Sequence, residues 1–355
     1  MTASHDIETR LRETAEGFLG VKKVDLFLGY EKASLPFRTT PVFVSAPEEA
    51  GRLAWNPFCA ANLAVYLPRL FKAPGLPASP DGRADAREAK AASPPTVAVV
   101  VKGCDARSVV ALIQEHQVPR EKLVLIGIAC PGMVDARKAE SVLGDREALG
   151  AGEDAGGNIR AVVEDGTEVT LRREQVLADA CLECRSPTPI LYDVLLGTPA
   201  LPASPDGRAE PRGAGAARRR IAEFESRPPE VRWARFRQMV SKCIRCNACR
   251  QACPMCYCRD CLLDQARPRW VGAGSDFSDV AIFHLLRAFH MAGRCTECGA
   301  CARACPMGID ARLLARKLGQ EVEDLYGYRP GEAIDATPPL SAFSMDDPQE
   351  FLTEP

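Results

Sequence analysis

The clearest hydrophobic signal is Val97–Val101, a run with no polar position in it. An uninterrupted apolar run of that length reads as a strand buried on both faces. Lys102-Gly103-Cys104-Asp105 breaks the run, and Ala106–Gln117 then carries Val109, Val110, Leu112 and Ile113 at helical spacing. Leu123–Ala129 reads as a second strand that ends at Cys130-Pro131-Gly132. Over residues 161–171, Val162 and Val163 lead to Asp165-Gly166 and then to Val169 and Leu171, which predicts a hairpin. Strand, helix and strand with short connections predict a parallel or mixed sheet.

Towards the C-terminus the period changes to that of helices. Glu230–Val240 sets Trp233, Phe236 and Val240 on one face. Ser278–Ala292 has Ile282, Leu285, Leu286 and Phe289 at positions i, i+3, i+4 and i+7, with Gly293 suited to end the helix. Ala311–Leu318 is a third helical segment, with Asp310 as its expected N-cap.

Two stretches of Pro, Ala, Gly and charge separate these blocks. Residues 73–95 and 198–220 bury too little apolar surface to offset the entropy of ordering, and read as disordered spacers. The nonapeptide LPASPDGRA occurs in both, at 76–84 and 201–209, and reads as a spacer duplicated where surface loops tolerate insertion. The expected organisation is an N-terminal segment over 1–72 packed with the next block, an α/β domain over 96–197, a helical domain over 221–330 and a tail over 331–355.

The chain has 355 residues and a net charge of −2, so its charge does not suggest a nucleic-acid partner or general attraction to anionic membranes. The opening MTASHDIETRLRETAEGFLG has no apolar core of the kind an export signal needs. No run reaches the roughly 18 apolar residues of a spanning helix. The expectation is a cytoplasmic protein with no membrane insertion. There the sixteen cysteines favour metal or redox chemistry over disulfides.

Their spacing sharpens this. Cys243, Cys246, Cys249 and Cys253-Pro254 form CxxCxxCxxxCP, and Cys295, Cys298, Cys301 and Cys305-Pro306 repeat it. This is the bacterial ferredoxin run, in which three thiolates grip one 4Fe–4S cube and the fourth binds the other. The expected sets are Cys243, Cys246 and Cys249 with Cys305, and Cys295, Cys298 and Cys301 with Cys253. Structural zinc sites usually draw two ligand pairs from separate turns, so two complete repeats favour iron–sulfur over zinc. The long interval between the repeats resembles the α-helical ferredoxins of succinate dehydrogenase and heterodisulfide reductase subunits, which implies helices between the cubes. Asn247 stands where the second motif has Gly299.

Cys256, Cys258 and Cys261 follow at once; they bind a further metal with another ligand such as Cys59, exchange into the first cluster, or pack beneath it. Cys104, Cys130, Cys181 and Cys184 suit one metal site, two of them at strand ends and two as a CxxC pair. Spacing alone does not separate zinc from iron there.

Lys102-Gly103-Cys104-Asp105, Gly127-Ile-Ala-Cys130-Pro-Gly132, and Cys181-Leu-Glu-Cys184 followed by Asp193-Val-Leu-Leu-Gly197 resemble the C-terminal domain of the beta-subunit family of deazaflavin-reducing hydrogenases and formate dehydrogenases. The resemblance covers about residues 96–197 and implies a third 4Fe–4S cluster on these four cysteines, FAD, and electron exchange with other subunits of an oxidoreductase complex. In this chain the ferredoxin motifs follow that domain rather than precede it. No GxGxxG follows a strand, so a dinucleotide fingerprint is absent.

The expected fold is an α/β N-terminal and middle region plus an all-α two-cluster ferredoxin domain at the C-terminus. No residue stands out as a general acid, base or nucleophile, which favours an electron-transfer subunit over a catalytic one. A self-contained flavin-dependent enzyme and a non-redox metal scaffold are the alternatives. Of His5, His116, His284 and His290, the last two lie on the apolar helix, where a structural role is expected. Arg232, Arg235, Arg237, Lys242, Arg245 and Arg250 surround the first motif as a solvated face, a dock for an acidic partner, or charges that raise a cluster's potential. Arg218-Arg219-Arg220 is expected to solubilise its spacer.

Overall fold

The computed structural model describes residues 3–71, 94–198 and 215–339; most of both spacers and the last part of the tail lie outside them. Helix α1 (Ala3–Gly20) precedes the hairpin of β1 (Leu26–Lys32) and β2 (Thr39–Val44), and α2 (Leu67–Leu70) closes the N-terminal segment. The segment is built into the main sheet, because β1 pairs in parallel with β3 (Val97–Val101). Strand β3 pairs in parallel with β4 (Leu123–Ile128), and β4 with β8 (Val194–Leu196), giving the order β2-β1-β3-β4-β8. Every residue of β3 is buried, as its unbroken apolar run requires.

Between β4 and β8 lie α4 (Ala136–Leu143), a three-stranded antiparallel sheet and two short helices. The small sheet is β5 (Ala148–Glu153), β6 (Ile159–Val163) and β7 (Glu168–Leu171), with the expected hairpin joining the last two. Helices α5 (Arg173–Val176) and α6 (Asp179–Leu182) lead back to the main sheet.

Helix α3 (Gly103–Gln114) begins three residues earlier than its apolar periodicity indicates, so Lys102–Asp105 starts the helix rather than forming a loop. The Asp105 carboxylate accepts from the Lys102 backbone N–H at 3.3 Å, and Gly103 allows an approach to the Ser186 carbonyl that a Cβ would block at 1.8 Å. The helix stops early because His116 takes a left-handed conformation, φ 53°.

The C-terminal region is helical: α7 (Ala216–Glu225), α8 (Pro229–Val240), α9 (Ala248–Gln251), α10 (Phe277–His290), α11 (Ala300–Ala304) and α12 (Arg312–Tyr326). Two expectations are corrected here, the spacer's end at 220 and the solubilising role of its arginines. Residues 216–220 belong to α7 rather than to a spacer. Arg218 pairs with Asp324 and Glu323, and Arg220 with Glu183, so these arginines tie α7 to its neighbours. Residues 331–339 cover α3: Gln114 donates to the carbonyls of Ala333 and Ala336, and a Cβ on Gly331 would meet the Arg107 carbonyl at 2.0 Å. On α10 the apolar stripe faces outward, with Ile282 at 44 % and Phe289 at 60 % exposure, while Phe283, His284, Arg287 and Ala288 are buried. That inner face packs against the cysteine motifs, so polar groups are buried where the apolar period gives no hint of them.

Candidate metal centres

The parallel register sets Val101 beside Gly127, so β3 and β4 end at the same edge of the sheet. Cys104 in the first turn of α3 and Cys130 after β4 therefore meet there, as expected for loops at the carboxyl ends of parallel strands. Cys181 on α6 and Cys184 just beyond it complete the group. All four line one cavity of about 940 Å³ including its open mouth. Burial, then Asp105, hold the Cys104 thiol well above its ordinary pKa despite nearby Lys102. Burial, then Cys181, push Cys130 up to about 12. Backbone amides point at two of the sulfurs: Met133 N–H donates to Cys181 and Ser186 N–H to Cys184, each at 3.4 Å. Four soft sulfur ligands with amide donors fit a thiolate-bound cluster.

The two ferredoxin-type motifs share one backbone design. The residue before the second cysteine is left-handed in both, Arg245 at φ 54° and Glu297 at φ 59°; so is the residue after it, Asn247 at φ 59° and Gly299 at φ 71°. Asparagine tolerates this region better than other side-chain-bearing residues, which accounts for Asn247 in a glycine-like place. Helices α9 and α11 follow and pack against each other. Cys253 is among the thiols near Cys295, Cys298 and Cys301, and Cys249 has Cys301, Cys243 and Cys305 near it. Cys246 is exposed. Amide donors reach these sulfurs too, Arg245 N–H to Cys243 and Ile309 N–H to Cys305 at 3.4 Å. Arg287 Nε is a buried donor with no protein partner among the described residues, a further fit to an acceptor-rich inorganic group.

The second motif abuts the middle cavity. Cys298, Glu297 and Thr296 line that cavity beside its four cysteines. Thr296 Oγ1 shares a 2.8 Å hydrogen bond with Ser108 Oγ, which accepts from Asn62 Nδ2 at 3.0 Å and donates to the Cys104 carbonyl at 3.0 Å. Deeper still, the Lys102 ammonium pairs with Asp105 at 2.6 Å and donates to the Tyr30 hydroxyl and to the Ala61 carbonyl. The N-terminal segment, the sheet and the second motif thus meet in one buried polar network.

Residues 239–309 match the 4Fe–4S dicluster domain family. Over 116 residues, the chain is 31 % identical to the F420-dependent formate dehydrogenase subunit beta of Methanocaldococcus jannaschii, a match to 33 % of this chain and 29 % of the relative. Over 295 residues, it is 25 % identical to the F420-dependent formate dehydrogenase 1 subunit beta of Methanococcus maripaludis, 69 % of this chain and 75 % of the relative. The chain is a homologue of these beta subunits. Its match spans less than a third of the first relative and three quarters of the second. A chain in the xenon-derivatised F420-reducing [NiFe] hydrogenase complex from Methanosarcina barkeri is 14 % identical with a TM-score of 0.35, over 52 % of this chain and 64 % of that one.

The extra cysteines separate. Cys59 is fully buried in the main core, its thiol 3.8 Å from the Ala54 carbonyl and from Asn56 Oδ1, and burial pushes its pKa up to about 12. Cys256 lies against Cys253, Cys261 packs with Leu263, Val271 and Phe283, and Cys258 is exposed. Among the described residues no three His, Cys, Asp or Glu side chains are gathered tightly enough for a single metal ion. Tyr30 and Arg303 belong to none of the sequence motifs. Only Lys102 and Asp105, flanking Gly103-Cys104, carry a sequence signal. No helix among the described residues is long and apolar enough to cross a membrane.

Proposed function

We propose that this chain is the iron–sulfur electron-transfer subunit of a cytoplasmic oxidoreductase complex, relaying single electrons between a flavin or active-site subunit and a second partner. One arrangement carries the reading: Cys298 of the second ferredoxin-type motif lines the same cavity as Cys104, Cys130, Cys181 and Cys184. Cys243, Cys246, Cys249 and Cys305 would hold the first 4Fe–4S cube. Cys295, Cys298, Cys301 and Cys253 would hold the second, and the four middle cysteines the third. Bound cubes supply one-electron redox chemistry. The chain's own part is to hold them in a row, keep their surroundings largely dry and direct amide donors at the thiolates.

The row has two ends. Exposed Cys246 marks one, where a partner's centre has access to the first cube. The middle cavity marks the other. The names of the relatives make a formate-oxidising subunit and the deazaflavin F420 the partner and carrier to test first, with FAD converting two-electron to one-electron chemistry. The decisive experiment is electron paramagnetic resonance of the anaerobic, dithionite-reduced chain. Magnetically interacting 4Fe–4S signals, with flavin absorption if FAD resides here, support the relay; a silent, zinc-containing protein contradicts it.

A further inference from the structure

The placement of two arginines suggests a further feature of the proposed relay, and it rests on that reading. Arg287 on the inner face of α10 is buried, and one of its terminal nitrogens donates to the Cys249 carbonyl of the first motif at 3.2 Å. The same guanidinium reaches Cys301 of the second motif and Cys256 beside Cys253. Its Nε has no protein partner among the described residues. Arg303 on α11 repeats the arrangement one step along. Its Nη1 donates to the Cys298 carbonyl at 2.9 Å and its Nη2 to the Ala60 carbonyl at 2.7 Å, and it lines the middle cavity with Cys104, Cys130, Cys181 and Cys184.

Among the described residues neither arginine forms an ion pair with a carboxylate. Arg303 is half-buried, whereas two buried arginines of this region do pair: Arg312 with Asp310 at 2.6 Å, and Arg316 with Glu183. Arg107, also buried and without a carboxylate, directs its donors at the Pro330 and Thr296 carbonyls. A buried cation with no counter-charge is expensive, unless an anion occupies the space beside it. A thiolate-bound cube is such an anion, and it gains one more negative charge on reduction.

We infer that Arg287 and Arg303 are the charge-compensating junctions of the relay, Arg287 between the first and second cubes and Arg303 between the second and the middle one. A fixed cation favours the reduced form of each cube beside it. It also offsets the repulsion between two neighbouring reduced cubes, so adjacent centres hold electrons together instead of excluding one another. Both are positioning residues, since neither is a ligand.

The test is a redox titration of the anaerobically purified full chain, followed by paramagnetic resonance, with iron analysis of each variant. Arg303→Gln is expected to lower the potentials of the second and middle centres and leave the first unchanged. Arg287→Gln is expected to lower those of the first and second and leave the middle unchanged. The charge-preserving Arg303→Lys and Arg287→Lys should stay near wild type, and they provide the comparison if a Gln variant loses iron. Iron-replete Gln variants whose potentials do not move, or move equally at all centres, overturn the inference. So do Lys variants that shift as far as the Gln variants. If only these variants behave unexpectedly while the wild type titrates as three centres, the relay reading stands; a wild type without clusters removes both.

Discussion

Gly299 lies directly against Ala180: a Cβ built on the glycine would come 2.5 Å from the alanine's Cβ. Ala180 immediately precedes Cys181, and Gly299 immediately follows Cys298, so this contact sets the spacing between the second motif and the middle cavity. Gly299 also holds a left-handed conformation, φ 71°. Its counterpart Asn247 has the same backbone need, and a side chain fits there.

This asymmetry gives the first prediction. Gly299→Ala adds a methyl group to a closed contact and strains the backbone, so it should destabilise the protein by about 2 kcal/mol or more. Asn247→Gly should change stability by less than about 1 kcal/mol. Thermal unfolding of the two variants under anaerobic conditions checks both values, and equal losses would contradict the contact.

The proposed exchange of fourth ligands gives the second. Cys253→Ala and Cys305→Ala should each remove one cube, taking iron from about twelve to about eight per chain. Cys253→Ala should spare the first centre's resonance and Cys305→Ala the second's. Cys59→Ala should leave iron unchanged, because that thiol is enclosed in the main core beside Ala54 and Asn56. Loss of iron in Cys59→Ala would place it among the ligands.

The buried pair beside Cys104 gives the third. Lys102 and Asp105 are 1 % and 0 % exposed, and removing only the ammonium leaves a carboxylate in the core. Lys102→Met should therefore cost about 3–5 kcal/mol. Lys102→Met combined with Asp105→Asn should cost less than the single change, since the buried charge is gone and the amide oxygen still accepts from the backbone of residue 102. Denaturant melts of the single and double variants measure the difference.

His284 gives a pH dependence. Burial, then Arg287 and Arg245, lower its pKa from 6.5 to about 4 in the folded chain. Between those values the unfolded chain binds the extra proton, so stability rises with pH. The contribution is complete above ~6.5 and is lost as pH falls towards 4; the shift corresponds to about 3 kcal/mol. Compared with wild type, His284→Leu should lose less stability between pH 7 and pH 4. Parallel curves would mean that His284 does not titrate in this way.

Local pattern made much of the molecule legible. The unbroken Val97–Val101 run, the Asp165-Gly166 turn and the two cysteine repeats each carry their structural meaning within a few residues. The assembly of the middle cavity depends instead on strand register and on the return of α6 to the sheet edge, which no local period encodes. The facing of α10 is a related case. Amphipathicity identifies which residues share a face, but the inner face here holds His284 and Arg287 against the thiol groups while Ile282 and Phe289 point outward. The start of α3 was hidden because its N-terminal turn is fixed by Lys102 and Asp105, polar residues that read as a break. Arg303 gave no signal because its importance arises only when α11 meets the middle cavity.

The central claim is three cubes in one chain. Iron and acid-labile sulfide analysis of anaerobically purified protein tests it most directly. The account predicts about twelve of each per chain, four per cube. About eight would remove the middle centre and with it the relay's inner end, and zinc without labile sulfide would contradict the account as a whole.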